Sequence, residues 1–243
     1  MIRSFLAVLA AGLFLILGIP VLFVEWIIGK FKPLGAEHTQ LSLMRWISRV
    51  LIKICGVKLE VRGEENVPTD TPVLYIGNHN SIFDCLCLYP ILRERFGFIA
   101  KDSLKKVPLL STWMARTNTL YLNRKDPREG MKVILKAIDM SKDGISIFIF
   151  PEGTRGDSEE MGEFKAGSFK IAAKANIPIV PVIISGTRNI LYNHIPIAKP
   201  GKVIISFGNP IYISSLSDED KKRIAPYVQN IIAKAKEKQD KEL

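Results

Sequence analysis

Seven short apolar stretches alternate with helix-like stretches from residue 56 onward, and this alternation constrains the fold more than any other feature of the sequence. Most of the apolar stretches are bounded by glycine, proline or asparagine, which is typical of β-strands. The predicted strands are 57–61, 73–76, 98–100, 119–122, 145–150, 179–184 and 203–207, and the predicted helices include 128–141, 164–174 and a last one from Asp218. Strands that alternate with helices predict an α/β domain over 56–243, with a mainly parallel central sheet and helices on both faces.

The beginning of the chain is its most apolar part. Between residues 5 and 28 the only charged residue is Glu25, and a helix of this length can cross about 30 Å of hydrocarbon. Gly18 and Pro20 allow the alternative of a kinked, re-entrant helix pair. A cleaved signal peptide is disfavoured, because the run is too long and no small-residue cleavage site follows it. Residues 1–55 are therefore predicted to form membrane-associated helices.

Basic residues follow this apolar run, which by the positive-inside rule places the remainder of the chain in the cytoplasm. In the stretch 41–54, apolar residues recur at helical spacing, while Arg45, Arg49 and Lys53 repeat every four residues elsewhere on the helix surface. The pattern predicts a basic amphipathic helix at an anionic membrane surface. An ordinary helix that packs its apolar face on the core is the alternative, and the two are compatible.

The overall charge narrows the class of partner. A net charge of +10 indicates an anionic partner, which on charge alone is nucleic acid, an acidic membrane surface, or a phosphorylated or acidic-protein substrate. Cys55, Cys85 and Cys87 lack the spacing of a zinc site, so we expect reduced core cysteines in a cytosolic setting. We also predict that no metal is bound, because no compact cluster of histidines or carboxylates is present.

The polar stretch 78–84, Asn-His-Asn-Ser-Ile-Phe-Asp, directly follows a predicted buried strand. A histidine with a carboxylate five residues on can be a general base that the carboxylate holds in one tautomer. Residues five apart on a helix point about 140° away from each other. His79 must therefore lie in the turn and Asp84 in the first turn of the next helix, where Ser81 and Asp84 match a capping box. The alternative is that Asp84 only caps the helix.

Four predicted strands each have a polar residue at or just after their carboxyl end. These residues are His79, Lys101, Arg124 and Glu152. If the sheet is parallel, four strands deliver these groups to the same edge. One crevice would then contain a base with its carboxylate, several cations and a further acid. Such a crevice suits a phosphorylated substrate that carries a hydroxyl to be deprotonated.

The hexapeptide 150–155, Phe-Pro-Glu-Gly-Thr-Arg, follows the fifth predicted strand. Pro151 ends that strand, Gly153 lets the backbone approach a ligand closely, and Arg155 can hold an anion in a bidentate way. The alternative is a strand-to-loop turn with a surface ion pair. The carboxylates downstream, at 159–163, have the pattern of a solvated acidic loop.

Together these stretches resemble the four motifs of the glycerolipid acyltransferases, in the order that the family shows. The matching positions are Asn78, His79, Ser81 and Asp84 in the first motif, Arg124 in the second, residues 150–155 in the third and Pro181 in the fourth. The second motif of that family commonly carries glycines where residues 111–120 have none. With threonine at position 154, the third motif is similar to that of the 1-acyl-sn-glycerol-3-phosphate acyltransferases. The glycerol-3-phosphate acyltransferases more often have glycine at this position.

This resemblance implies that the protein makes phosphatidic acid from lysophosphatidic acid, with glycerol-3-phosphate as the alternative acceptor. His79, held by Asp84, would take the proton of the acceptor hydroxyl as it attacks an acyl thioester. The residues expected to bind phosphate and glycerol are Lys101, Arg124, Glu152, Gly153, Thr154 and Arg155. Amides near Ser81 or a lysine such as Lys105 are alternatives for stabilising the oxyanion.

The resemblance also implies partners and a location. The acyl donor would be a thioester of acyl carrier protein or coenzyme A, no cofactor or nucleic acid would be needed, and the protein would lie on the cytoplasmic face of the inner membrane. Two other classes of function stay open from the residues alone. One is a membrane-anchored lipid hydrolase that activates water with the same dyad, and the other is a non-enzymatic basic protein that binds anionic lipid or nucleic acid.

Overall fold

The fold is built on one seven-stranded sheet. We describe it from a computed structural model, which covers residues 1–92, 95–153 and 161–243. The strands are β1 Val57–Arg62, β2 Leu74–Gly77, β3 Phe96–Lys101, β4 Leu120–Leu122, β5 Ser146–Ile149, β6 Ile179–Ser185 and β7 Gly201–Phe207. Each of them overlaps one of the seven strands predicted from the sequence.

The strand order in the sheet is β1-β7-β6-β2-β5-β3-β4. The five strands from β6 to β4 run parallel to their neighbours, whereas β7 pairs antiparallel with β6 and parallel with β1. The prediction of a mainly parallel sheet is confirmed. The connection between β6 and β7 contains no long crossover helix. A parallel pair would require such a helix, so these two strands pair antiparallel.

Ten α-helices lie in the described residues. They are α1 Ile2–Leu17, α2 Ile19–Gly29, α3 Pro33–Cys55, α4 Ile82–Leu88, α5 Leu110–Arg116, α6 Pro127–Lys142, α7 Lys170–Ala175, α8 Thr187–Ile190, α9 Asp218–Lys222 and α10 Ile224–Asp240. The helix predicted over 164–174 is shorter, because a 3₁₀ turn at Ala166–Phe169 precedes α7. The last predicted helix divides into α9 and α10, and Pro226 lies in the first turn of α10, where its missing N–H is tolerated.

Both faces of the sheet are buried, so the core has two layers. Successive residues of a strand point to opposite faces. Tyr75 and Phe148 accordingly lie in the cluster beneath α3 and α4, whereas Ile76 and Ile147 lie in the cluster beneath α6, α7 and α10. This two-sided burial explains why the central strands β2, β5 and β6 read as continuous apolar runs, whereas the edge strand β1 alternates.

The N-terminal helices share the first of these two core layers. Leu22 and Leu41 belong to the same buried cluster as the sheet residue Tyr75, and the ring of Phe14 lies 4.7 Å from that of the fully buried Trp113, between centroids. Among the described residues no single helix is long and apolar enough to cross a membrane. The pair α1 and α2 reaches that length and composition together, with a bend of 44° between the two helices.

Helix α3 is tied to the sheet domain by polar contacts. The carboxylate of Glu37 receives two hydrogen bonds from Arg95, at 2.9 and 2.7 Å, and one from the Asn118 amide at 2.6 Å. Arg45 was predicted to lie on the basic surface of this helix, but its guanidinium donates to the Leu92 carbonyl at 2.8 Å. That residue therefore holds the helix to the segment after α4, and only Arg49 and Lys53 of the three predicted cations are exposed.

Candidate active site

His79 and Asp84 are in direct contact at the carboxyl end of β2. The Nδ1 atom of His79 lies 2.8 Å from Oδ2 of Asp84. His79 lies in the turn and Asp84 in the first turn of α4, as the helical geometry predicts. The Asp84 side chain is fully buried, and that of His79 is 18% exposed. A buried carboxylate thus faces the inner nitrogen of a ring whose outer edge reaches the surface.

Asp84 also caps α4. Its Oδ2 atom accepts from the backbone N–H groups of Asn80 at 2.7 Å and Ser81 at 2.8 Å, and the Ser81 hydroxyl accepts from the Phe83 N–H at 3.3 Å. The cap and the histidine contact, which the sequence presents as alternatives, are both present. The hydrogen bonds of the cap hold the carboxylate in place for the histidine.

The ring of His79 is fixed in plane and in tautomer. It stacks on Phe150, with centroids 4.1 Å apart and an interplanar angle of 20°. An imidazole that donates its Nδ1–H to a carboxylate carries its lone pair on Nε2. Within the described ranges, with their gaps at 93–94 and 154–160, no side chain occupies that nitrogen. With Nδ1 on the carboxylate, the other ring nitrogen, Nε2, lies on the partly exposed side of the ring.

Asn78 fastens the turn to the neighbouring strand β6. Its amide donates to the Ile184 carbonyl at 2.8 Å and accepts from the Ile184 N–H at 2.9 Å. The amide of Asn80 donates to the same carbonyl at 3.0 Å. These bonds continue the pairing of β2 with β6 beyond the end of β2 at Gly77. The first-motif asparagine therefore sets the path of the backbone on which His79 lies.

Glu152 links two segments of the site through backbone hydrogen bonds. Its Oε1 accepts from the His79 backbone N–H at 2.7 Å and its Oε2 from the Gly162 N–H at 2.7 Å. The side chain is buried, and burial raises the pKa of this carboxyl, partly offset by the two backbone hydrogen bonds. Glu152 thus connects the His79 backbone to Gly162, and its predicted contact with the substrate stays a prediction.

Two cations lie next to the bare backbone at Gly153. This residue has a φ of 80°, and a β-carbon there would lie 3.3 Å from Nζ of Lys165 and 3.7 Å from Cζ of Arg124. Burial lowers the pKa of Arg124, with Asp102 acting in the opposite direction. The Nε atom of Arg124 is buried without a hydrogen-bond partner in the described part of the chain. An anion at this point would supply the missing acceptor.

The other predicted site residues lie around this centre. Lys101 is exposed at the end of β3, with its Cα paired to that of Leu122 on β4. Pro151 is buried in the turn, where its carbonyl accepts from the Lys165 N–H at 3.1 Å. Pro181 lies inside β6 opposite Ile76 and so belongs to the sheet behind the dyad.

Two of the predicted ligands, Thr154 and Arg155, lie outside the described residues. The amides near Ser81, one of two alternatives for the oxyanion, are engaged by Asp84 and Ser81 themselves. In the described part of the chain, no group of three or more His, Cys, Asp or Glu side chains could hold a metal ion.

The sequence analysis missed two residues that reach this site. Lys165 follows Phe164 in the segment before α7, and Thr187 begins α8 and donates to Oδ1 of Asp84 at 2.5 Å. A basic residue in the first turn of the predicted helix over 164–174 was a usable signal for the first. The second had no signal, because it lies 103 residues away from its partner along the chain.

The missing glycines of the second-motif region have a structural counterpart. Asn118, just before β4, adopts a left-handed φ of 59°. Asparagine is one of the few residues other than glycine that enter this region readily. A side chain at the neighbouring Gly97 would lie 2.1 Å from the Asn118 carbonyl oxygen. The turn therefore keeps the backbone shape that glycine would allow, and it leads β4 to Arg124.

The site combines a histidine on a buried carboxylate with two cations, at the carboxyl edge of a mainly parallel sheet. The Acyltransferase family profile matches residues 58–185, which include the dyad and Gly153. The chain belongs to this acyltransferase family.

Named relatives agree with this assignment. A chloroplast 1-acyl-sn-glycerol-3-phosphate acyltransferase of Brassica napus is 36% identical over 173 residues, which are 69% of this chain and 50% of the relative. The enzyme of the same name from Borreliella burgdorferi is 30% identical over 79% of this chain and 77% of its own length. This chain thus spans about half the length of the chloroplast relatives and most of the bacterial one.

One solved structure covers almost the whole fold. The crystal structure of the 1-acyl-sn-glycerophosphate (LPA) acyltransferase PlsC from Thermotoga maritima superimposes with a TM-score of 0.80 at 25% sequence identity. The alignment covers 98% of this chain and 97% of that protein, so the N-terminal helices are part of the shared architecture.

Proposed function

We propose that this protein transfers a fatty acyl group from an acyl thioester to the 2-hydroxyl of lysophosphatidic acid, which yields phosphatidic acid for phospholipid synthesis. The observation that carries the proposal is the pairing of His79 with Asp84 beside the cations at Gly153. The names of the relatives support the same acceptor. This reaction needs a base and a phosphate-binding site close together, at the same edge of the sheet.

The chemistry uses His79 as the base. Its Nε2 takes the proton from the acceptor hydroxyl while that oxygen attacks the thioester carbonyl carbon, and Asp84 stabilises the imidazolium that forms. The tetrahedral intermediate collapses with cleavage of the carbon–sulfur bond. The imidazolium then returns its proton to the departing thiolate, so the products are the ester and a free thiol. No covalent acyl-enzyme is formed.

The acceptor phosphate would lie against Gly153, between Arg124 and Lys165. The missing side chain at Gly153 leaves room for an anion to approach the backbone, and the unpaired Nε of Arg124 offers a donor. Lys101, at the same sheet edge, and Arg155 complete the predicted cationic rim. Phosphate held there leaves the glycerol hydroxyl free to reach Nε2 of His79.

The donor and the membrane belong to the same proposal. We infer that a thioester of coenzyme A or acyl carrier protein supplies the acyl group, since both carry the anionic phosphopantetheine arm that a basic protein attracts. We further infer that residues 1–55 hold the protein on the cytoplasmic face of the inner membrane. Large apolar side chains are exposed along α1 and α2, and Lys30 lies 3.8 Å from the Trp26 ring centroid, an arrangement suited to an interface.

The activity can be tested with purified protein in mixed micelles. Lysophosphatidic acid or glycerol-3-phosphate is offered with each of the two thioesters, and the lipid product and free thiol are quantified. We expect phosphatidic acid and thiol in equal amounts from lysophosphatidic acid only. Acylation of glycerol-3-phosphate instead would keep the mechanism and change the substrate. Release of free fatty acid without phosphatidic acid would replace the proposal by a lipid hydrolase.

Membrane attachment can be tested by flotation with vesicles of phosphatidylcholine, with and without phosphatidic acid. Leu13 on α1 is 48% exposed, and burial of such a side chain contributes about 1.5 to 3 kcal/mol. We expect Leu13→Ser to weaken vesicle partitioning about tenfold or more. Leu135→Ser is the matched control, because Leu135 is 54% exposed on α6 at the opposite face of the sheet. Equal loss in both variants, or in neither, would contradict attachment through the N-terminal helices.

A further inference from the structure

Thr187 approaches the dyad from behind. Its hydroxyl donates to Oδ1 of Asp84 at 2.5 Å, and both side chains are 0% exposed. The other carboxylate oxygen, Oδ2, carries the three remaining contacts, to His79, Asn80 and Ser81. An O–H donor to a carboxylate at this distance is a strong, charge-assisted hydrogen bond.

The chain delivers Thr187 to this position through a tight turn after β6. Gly186 has a φ of 88°, and a β-carbon there would lie 2.3 Å from the Lys202 carbonyl oxygen. Only glycine fits such a turn. The strand that bonds the Asn78 amide at Ile184 thus leads through this turn to Thr187, three residues further on.

The two oxygens of Asp84 thus have separate partners. The amides of Asn80 and Ser81 hold Oδ2, while Thr187 holds Oδ1 and so opposes rotation of the carboxylate about its Cβ–Cγ bond. No water reaches a fully buried group easily, so the loss of the hydroxyl leaves a charged oxygen without a donor. The carboxylate would then turn toward another donor, and its contact with Nδ1 of His79 would lengthen.

We propose that Thr187 is a positioning residue of the catalytic dyad, which holds Asp84 in the orientation that keeps Nδ1 of His79 bonded and Nε2 free. The inference rests on the proposed role of His79 as the base. It assigns to the segment after β6 a task in catalysis, although Thr187 touches neither substrate.

The test compares Thr187→Val, Thr187→Ala and Thr187→Ser in the full-length protein. We expect kcat to fall about 10- to 100-fold in the first two variants, since a buried charged group loses one donor. KM for lysophosphatidic acid should stay within about twofold, because the substrate contacts are intact. Serine keeps the hydroxyl and should restore most of kcat. Thr117→Val removes another buried threonine hydroxyl, bonded at 3.1 Å to the Met114 carbonyl, and should leave kcat unchanged.

A spectroscopic readout separates this inference from the proposed function. The proton on Nδ1 of His79 should give a low-field NMR resonance that His79→Ala removes. We expect the resonance to persist in Thr187→Ser and to move upfield or disappear in Thr187→Ala and Thr187→Val. An unchanged resonance together with wild-type kcat in folded Thr187→Ala would overturn the inference, while an inactive His79→Ala still upholds the base. A fully active His79→Ala would reject the proposed function, with the resonance still reporting on Thr187.

Discussion

Replacement of His79 by alanine is expected to lower kcat by about 10²- to 10⁴-fold, or more if the dyad acts as a unit. The variant has no group to take the proton of the acceptor hydroxyl, so attack on the thioester is slow. The change should leave lipid binding intact, because the cations near Gly153 do not depend on the imidazole. The measurement is single-turnover formation of phosphatidic acid, with vesicle flotation to follow binding.

A matched control is available in the same chain. His194 lies in a 3₁₀ turn after α8, away from the dyad, and His194→Ala should retain wild-type kcat. Asp84→Asn is a second variant for comparison. The amide nitrogen of asparagine is a donor, whereas both carboxylate oxygens of Asp84 accept hydrogen bonds. Full activity of His79→Ala would return the histidine to the role of a loop residue beside a helix cap.

Arg124→Met is the second change with a large expected effect. Removal of one partner of a charged pair in a partly dry site costs about 2 to 5 kcal/mol, which corresponds to about 30- to 5,000-fold in kcat/KM. We expect most of the loss in KM for lysophosphatidic acid, because a bound phosphate contributes to ground and transition state alike. Steady-state kinetics over a range of acceptor concentrations would separate the two constants.

Two variants calibrate that result. Arg128→Met changes the same residue type on the exposed surface of α6 and should leave kcat/KM unchanged. Lys165→Met should raise KM less than Arg124→Met does, by about 3- to 10-fold, since exposed charge pairs are weaker than buried ones. An unaltered KM in Arg124→Met, with normal thermal unfolding, would mean that the phosphate binds elsewhere.

The dyad could be predicted from the sequence because its parts are local. Five residues separate His79 from Asp84, and helix geometry together with the capping pattern of Ser81 leaves few arrangements for them. The strands could be predicted for a related reason. Residues such as Ile147 and Phe148 are buried on both faces of the sheet, so the whole strand is apolar and stands out from its surroundings.

Contacts between distant segments could not be predicted. The bond of Thr187 to Asp84 and the approach of Lys165 to Gly153 depend on how loops from different strands fold back over the sheet edge. The contacts of Glu152 with the backbone N–H groups of His79 and Gly162 could not be predicted either, because backbone donors carry no sequence signal. The bent pair α1 and α2 was foreseen only as an alternative, from Gly18 and Pro20.

The two halves of the site have different origins in the chain. His79 and Asp84 belong to one continuous peptide that caps its own helix, and later segments hold it through Ile184, Glu152 and Thr187. The cations come from two separate loops, after β4 and before α7. We therefore expect substitutions in those two loops to change the head group that is accepted while the proposed base keeps its place.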